Sequence, residues 1–96
     1  MKKFYSLHEV AALIGTEEGA LVHYIECEWI RPARRSPCEF DEEDLARARL
    51  IRELTDDFEV NDDAVPIILN LLDQIHGLHR KIRLRFSDDV QSQFRQ

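Results

Sequence analysis

Apolar residues recur along the chain with a helical period in four separate stretches. Leu7, Val10, Ala11 and Ile14 share one face of a first helix, and Ser6-Leu7-His8-Glu9 supplies a capping box at its start. Gly15 is placed to end that helix. Thr16 is expected to cap a second helix running to about Glu28, with Glu17 and Glu18 in its first turn, where the helix dipole favours anions. Leu21, Tyr24 and the nearby Trp29 form its inward set. Two short amphipathic helices joined at a Gly-Thr turn make a helix-turn-helix pattern. The helical period then stops. Pro32 and Pro37 bracket Arg34-Arg35-Ser36, with apolar ends at Ile30 and Phe40, which predicts a small two-stranded wing.

Asp41 opens a third helix, whose stripe is Leu45, Ala48, Ile51 and Leu54. The segment Asp56-Asp57-Phe58-Glu59 reads as a hinge, with Phe58 and Val60 tucked against the core. Asn61 is the expected cap of a fourth helix reaching about Phe86, with Pro66 in its early turns. Ala64, Ile68, Leu71, Ile75, Leu78 and Ile82 alternate at spacings of four and three, the seam of a short coiled coil. Val65, Leu69 and Leu72 add a second stripe to the first half only. The second half has one seam and a basic flank of Arg80, Lys81, Arg83 and Arg85. Its residues Ile68, Leu71, Ile75, Leu78 and Ile82 are the candidates for self-association as a homodimer. The predicted fold is mainly α, a winged helix-turn-helix head over residues 1–60 with a small β wing. A long helix follows over 61–86, packing on the head, and then a polar tail over 87–96.

With 96 residues, 44% apolar and 33% charged, the chain suits one modest core rather than disorder or a large enzyme. The charge of −6 is concentrated in the head. Lys2 through Asp44 holds five basic and ten acidic side chains, a net of −5, and no Lys or Arg lies between Lys3 and Arg31. Such a balance disfavours duplex DNA as the default partner, because phosphates are neutralised by Lys and Arg. The two cysteines, Cys27 and Cys38, are too few for a disulfide framework and suit a reducing cytoplasm. The longest apolar run, Val65 to Leu69, is far short of the ~20 residues of a membrane helix, and the start lacks the apolar core of a signal peptide.

The segments Tyr5-Ser6-Leu7-His8-Glu9-Val10-Ala11, Gly15-Thr16, Leu21, Tyr24 and Trp29-Ile30-Arg31-Pro32-Ala33-Arg34-Arg35 together resemble MerR-type winged helix-turn-helix domains. Phe40-Asp41-Glu42-Glu43-Asp44-Leu45 looks like that family's opening of the next helix. The departures fall on the DNA-reading elements. The family usually has Arg where Val22 stands, Glu where Ile25 stands, Gly where Glu28 stands and Arg near Cys38. The stretch from Val60 to Ile75 is similar to the C-terminal helix of CbpM-type chaperone modulators, small acidic relatives of the MerR domain. That resemblance implies a protein that binds the J domain of a DnaJ-like co-chaperone of the CbpA type and restrains its stimulation of Hsp70.

On the second helix Glu18, Val22, Ile25 and Trp29 recur along one stripe, with Glu26 at its edge. These five residues are the expected partner-binding set: apolar contact flanked by acids that steer a basic helix. The competing reading is a dimeric MerR-like DNA-binding regulator using Arg31, Arg34, Arg35 and the distal basic residues. His23, Cys27 and Cys38 could approach one another, and Asp73, His76 and His79 recur every three residues. Neither set makes a full zinc site, and no catalytic constellation or cofactor motif is present, so no catalytic residue, metal or cofactor is expected.

Overall fold

The computed structural model describes the backbone of residues 3–94 and the side chains of residues 3–85. It is mainly helical, with a three-stranded antiparallel sheet. In chain order the elements are β1 (Tyr5–Ser6), α1 (Leu7–Ile14), α2 (Glu18–Glu26), β2 (Arg34–Arg35), β3 (Cys38–Phe40), α3 (Glu42–Arg52) and α4 (Val65–Phe94). A π-helical turn, Glu53–Asp57, continues α3. The chain divides into two compact units, Met1–Val65 and Pro66–Gln96.

Within the first unit each helix starts where its side chains satisfy the free amides. Ser6 Oγ accepts from the Glu9 N–H, and Glu9 Oε1 accepts from the Ser6 N–H, both at 3.1 Å. The bond from the Ser6 N–H, and secondarily the Ser6 side chain, lower the pKa of the Glu9 carboxyl by favouring its charged form. Asp41 and Asp44 make the corresponding box on α3. Asp44 Oδ2 also accepts from the Ala33 N–H at 2.9 Å, tying the wing to α3. Burial pushes the Asp44 pKa up in spite of these bonds. A raised folded-state pKa means the ionised carboxylate weakens the fold above that pKa, so a neutral acceptor should serve at least as well. Asp44→Asn is expected to keep stability within about 1 kcal/mol, whereas Asp44→Ala orphans two amides and costs about 1.5–3 kcal/mol. Urea denaturation of the two variants separates these outcomes.

The wing differs from the two-stranded expectation. Tyr5 and Ser6 pair with Phe40 and Glu39, so β3 lies between β1 and β2. Two extended residues ahead of a helix carry no readable period, and only the return of β3 recruits them. Thr16 is likewise not a cap. Its N–H donates to Ala11 O at 2.9 Å and closes α1, while the cap position of α2 is Glu17, whose side chain makes no capping bond.

The other end of α2 is a paired-bond stop. Glu28 N–H donates to Ile25 O, and Trp29 N–H to Tyr24 O, both at 3.0 Å. Glu28 sits at φ 61°, the left-handed region that glycine occupies freely. Replacing it with Gly is expected to raise stability by about 0.5–1 kcal/mol, after the added freedom of the unfolded chain is counted. A rise in melting temperature of about 3–6 °C would register it.

The core of the first unit gathers Val10 and Ile14 from α1, Leu21 and Tyr24 from α2, Trp29 and Ile30 from the connection, Phe40 from β3, and Ala48 and Ile51 from α3. Phe58 departs from its expected place: it is 72% exposed. Its N–H donates to Glu53 O across the wide π turn, and Glu59 at φ 54° reverses the backbone directly after it, which carries the ring outward. Val60 is half-buried.

In the segment before α4, Asn61 Oδ1 accepts from the Ala64 N–H at 3.0 Å and orders a turn over residues 62–64. The helix proper therefore begins at Val65, four residues later than expected, with Pro66 in its first turn, where its missing N–H costs nothing. It continues to Phe94, past the expected end near Phe86, and residues 95 and 96 of the expected polar tail lie outside the described part. Ile68 and Leu72 are half-buried, and Leu69 is buried. Ile67, Leu71, Ile75, Leu78, Ile82 and Leu84 are exposed.

Candidate functional site

The outward side of α2 is set by what its inward side must bury. Leu21 and Tyr24 are buried, which leaves Val22 40% exposed, Ile25 half-buried, and Glu18 and Glu26 exposed. An apolar strip of two residues is thus edged by carboxylates. Trp29 does not extend it. Only 5% of Trp29 is exposed; its ring lies at a 5.8 Å centroid distance from Tyr24 and edge-on to His23 at 5.4 Å. Its carbonyl accepts from Arg47 Nε at 2.6 Å. The helical spacing that aligned Trp29 with Val22 fails because α2 stops at Glu26 and the left-handed turn at Glu28 swings the indole inward.

Next to the start of α2 lies an open depression of about 310 Å³ lined by His8, Ala11, Ala12, Thr16, Glu17 and Glu18. Its lining combines two alanine side chains with two carboxylates. His8 Nδ1 lies 3.5 Å from Glu18 Oε2. This suits a lysine or arginine, whose apolar stem can lie on the methyls while its charged head meets the acids. Sequence spacing could not find it, because His8 and Ala12 lie outside the apolar stripe of α1 and meet Glu18 only when the two helices pack.

At the far end of α2, His23 Nε2 lies 2.9 Å from Asp62 Oδ2, and Cys27 Sγ lies 3.6 Å from the same nitrogen. Burial, and secondarily Asp62 and Glu26, raise the Cys27 pKa; burial and Asp44 raise that of Cys38. Both thiols are therefore protonated at neutral pH and are weak nucleophiles. Among the described residues no group of three or more His, Cys, Asp and Glu is placed to hold a metal ion. None of the helices among them is long and apolar enough to cross a membrane.

α2 itself carries no Lys or Arg; α3 carries Arg47, Arg49 and Arg52, and the wing carries Arg31, Arg34 and Arg35. Arg34 lies over the Phe4 ring at 4.3 Å and 3.8 Å from Glu39, and Arg31 and Arg35 are exposed. Helix-turn-helix, three-stranded wing, and a third helix leading to a long fourth are now in place. A model described as MerR HTH family regulatory protein matches residues 5–85. The chain belongs to that family. No curated protein matches it. Within the MerR fold the reading helix normally offers cations to phosphate and base edges. In this MerR-family chain the same helix offers Glu17, Glu18 and Glu26, with Val22 and Ile25 between them.

Proposed function

We propose that this protein is a non-catalytic, cytoplasmic modulator whose α2 face captures the basic helix of a J domain. The J domain would belong to a DnaJ-like co-chaperone of the CbpA type, and its capture withholds that helix from Hsp70. One observation carries the reading: the exposed side of α2 is an apolar strip with acidic edges and no cation. A basic amphipathic helix matches it in both charge and apolar contact. Duplex DNA matches it in neither, since the carboxylates repel phosphate and no guanidinium is present to read guanine. The neighbouring depression, lined by Ala11, Ala12, Glu17 and Glu18 among others, adds a seat for one cationic side chain. The unpaired thiols Cys27 and Cys38 are in keeping with a reducing compartment.

The test is a titration of the full chain against a purified J domain and against duplex DNA at low salt. Saturable J-domain binding is expected, together with reduced J-domain stimulation of Hsp70 ATPase activity. Val22→Arg places a cation in the strip and is expected to weaken capture at least about tenfold, or about 1.4 kcal/mol. Its far-UV circular dichroism should stay unchanged, because the side chain is already partly in solvent. Micromolar DNA binding without J-domain binding would instead establish the wing arginines Arg31, Arg34 and Arg35 as the working surface, and the protein as a DNA-binding regulator.

A further inference from the structure

Two histidines bracket the outward face of α2, and each meets a carboxylate. At the start of the helix, His8 Nδ1 of α1 lies 3.5 Å from Glu18 Oε2, and Glu17 lines the same depression. Toward the other end, His23 Nε2 lies 2.9 Å from Asp62 Oδ2, in the segment before α4. On a helical projection the outward side of α2 runs Ile25, Glu18, Val22, Glu26, Gly19 and His23, so only a glycine stands between His23 and Glu26. Both imidazoles are exposed. Other charged or titratable groups at these corners have partners or carry no charge. Glu9, beside His8, is held in the Ser6 box, and Glu39 of the sheet faces Arg34. Cys27, one turn on from His23, stays a thiol, and Arg47 of α3 donates to the carbonyl of Trp29, whose ring meets His23 edge-on.

We propose that protonation of His8 and His23 closes the α2 face to basic helices. The inference rests on the reading of that face as a seat for such a helix, and it names the regulation of the seat. Histidine is the side chain that ordinarily changes charge between pH 5 and 8, whereas carboxylates keep theirs over that range. At the upper end, Glu17, Glu18 and Glu26 on α2 and Asp62 beside it are four negative charges around Val22 and Ile25. At the lower end each imidazole carries a proton. That of His8 faces Glu18 across the depression, and that of His23 faces Asp62 and adjoins Glu26. Two of the four charges are then offset from within the chain. The oxygens an incoming lysine or arginine would use already hold a cation. Each of these exposed pairs is weak and screened by salt, but both oppose the same multiply charged ligand, so their effects add. The fold needs no rearrangement, because each histidine already stands beside its acid.

Titration of the full chain with a purified J domain at low salt, at about pH 7.8 and about pH 5.8, tests this. Wild type is expected to bind at least about fivefold more weakly at the lower pH, and high salt should shrink that ratio toward one. In His8→Gln/His23→Gln, which cannot gain these charges, the ratio should stay below about twofold. His8→Lys/His23→Lys, cationic throughout, should bind weakly at both pH values. The single tryptophan supplies a readout that needs no ligand. A protonated imidazole quenches an adjacent indole, so Trp29 emission of the free chain should fall with pH in wild type and His8→Gln but not in His23→Gln. Helical circular dichroism should be the same at both pH values. A pH-independent wild type, a Gln variant with the wild-type ratio, a Lys variant as tight as wild type at the higher pH, Trp29 emission without a His23-dependent step, or loss of helix at the lower pH would each overturn the inference. A synthetic amphipathic helix of lysine, leucine and alanine, titrated in parallel, separates the switch from the reading it rests on. Capture of this helix with the same pH step, and of the J domain at neither pH, would sink the J-domain reading and leave the switch standing. Capture of neither at the higher pH overturns both.

Discussion

Phe40→Ala is expected to abolish the cooperative thermal transition of this protein near room temperature. Phe40 is fully buried in the central strand of the sheet, opposite Tyr5, and immediately precedes the capping residue of α3. Truncating a buried Phe to Ala costs about 3–5 kcal/mol in lost transfer energy and unfilled cavity. A chain of this size has only about 5–14 kcal/mol of stability at the usual 0.05–0.15 kcal/mol per residue. The loss is thus about a fifth to a third of the total at the high end of that range, and most or all of it at the low end. Sheet, wing and α3 cap converge on this ring, so the damage should not stay local. A melting curve followed at 222 nm that kept its midpoint within about 5 °C of wild type would contradict the core assignment.

Trp29→Ala is expected to cost about 3–5 kcal/mol as well, and for a reason that bears on the binding face. The indole is buried against Tyr24 and His23, and the backbone carbonyl of Trp29 anchors Arg47 of α3. It therefore holds the end of α2 in place and leaves little of its ring exposed. Trp29→Phe keeps an aromatic ring in the same space and should retain most of the stability, with an expected loss of about 1–2 kcal/mol. The comparison of the two separates packing from contact. If Trp29→Phe is well folded at low temperature and still captures its basic ligand with wild-type affinity, the ring is structural. A folded Trp29→Phe variant that loses binding tenfold would return Trp29 to the interface.

The charge segregation has a further physical consequence. The acidic excess lies within the first 44 residues, while Arg80, Lys81, Arg83 and Arg85 crowd the distal half of α4. Salt screens exposed charges of either sign, so the proposed partner affinity should be measured at defined ionic strength.

Much of the head was legible in the chain because its determinants are local. The Ser6-Glu9 box, the Gly15 stop, the Asp41 cap and the Leu21/Tyr24 inward pair each depend on residues within one or two turns of one another, and the structure places them as their spacing implied. The acidity of α2 was likewise readable, since an absence of Lys and Arg between Lys3 and Arg31 holds whatever the fold. Tertiary structure alone decided the rest. It paired Tyr5-Ser6 with β3, a contact across more than thirty residues that two extended residues cannot announce. It took Trp29 out of the exposed apolar strip of α2, because a left-handed residue at Glu28 breaks the helical projection on which the alignment depended. It put Phe58 into solvent, because a π turn, and not a simple hinge, precedes it. And it joined His8 to Glu18 at the start of α2, forming a depression between two helices whose facing sides no period could specify. Local hydrogen bonding and periodicity are written in neighbouring residues; backbone reversals and helix-to-helix contacts are settled only when the whole chain competes for one core.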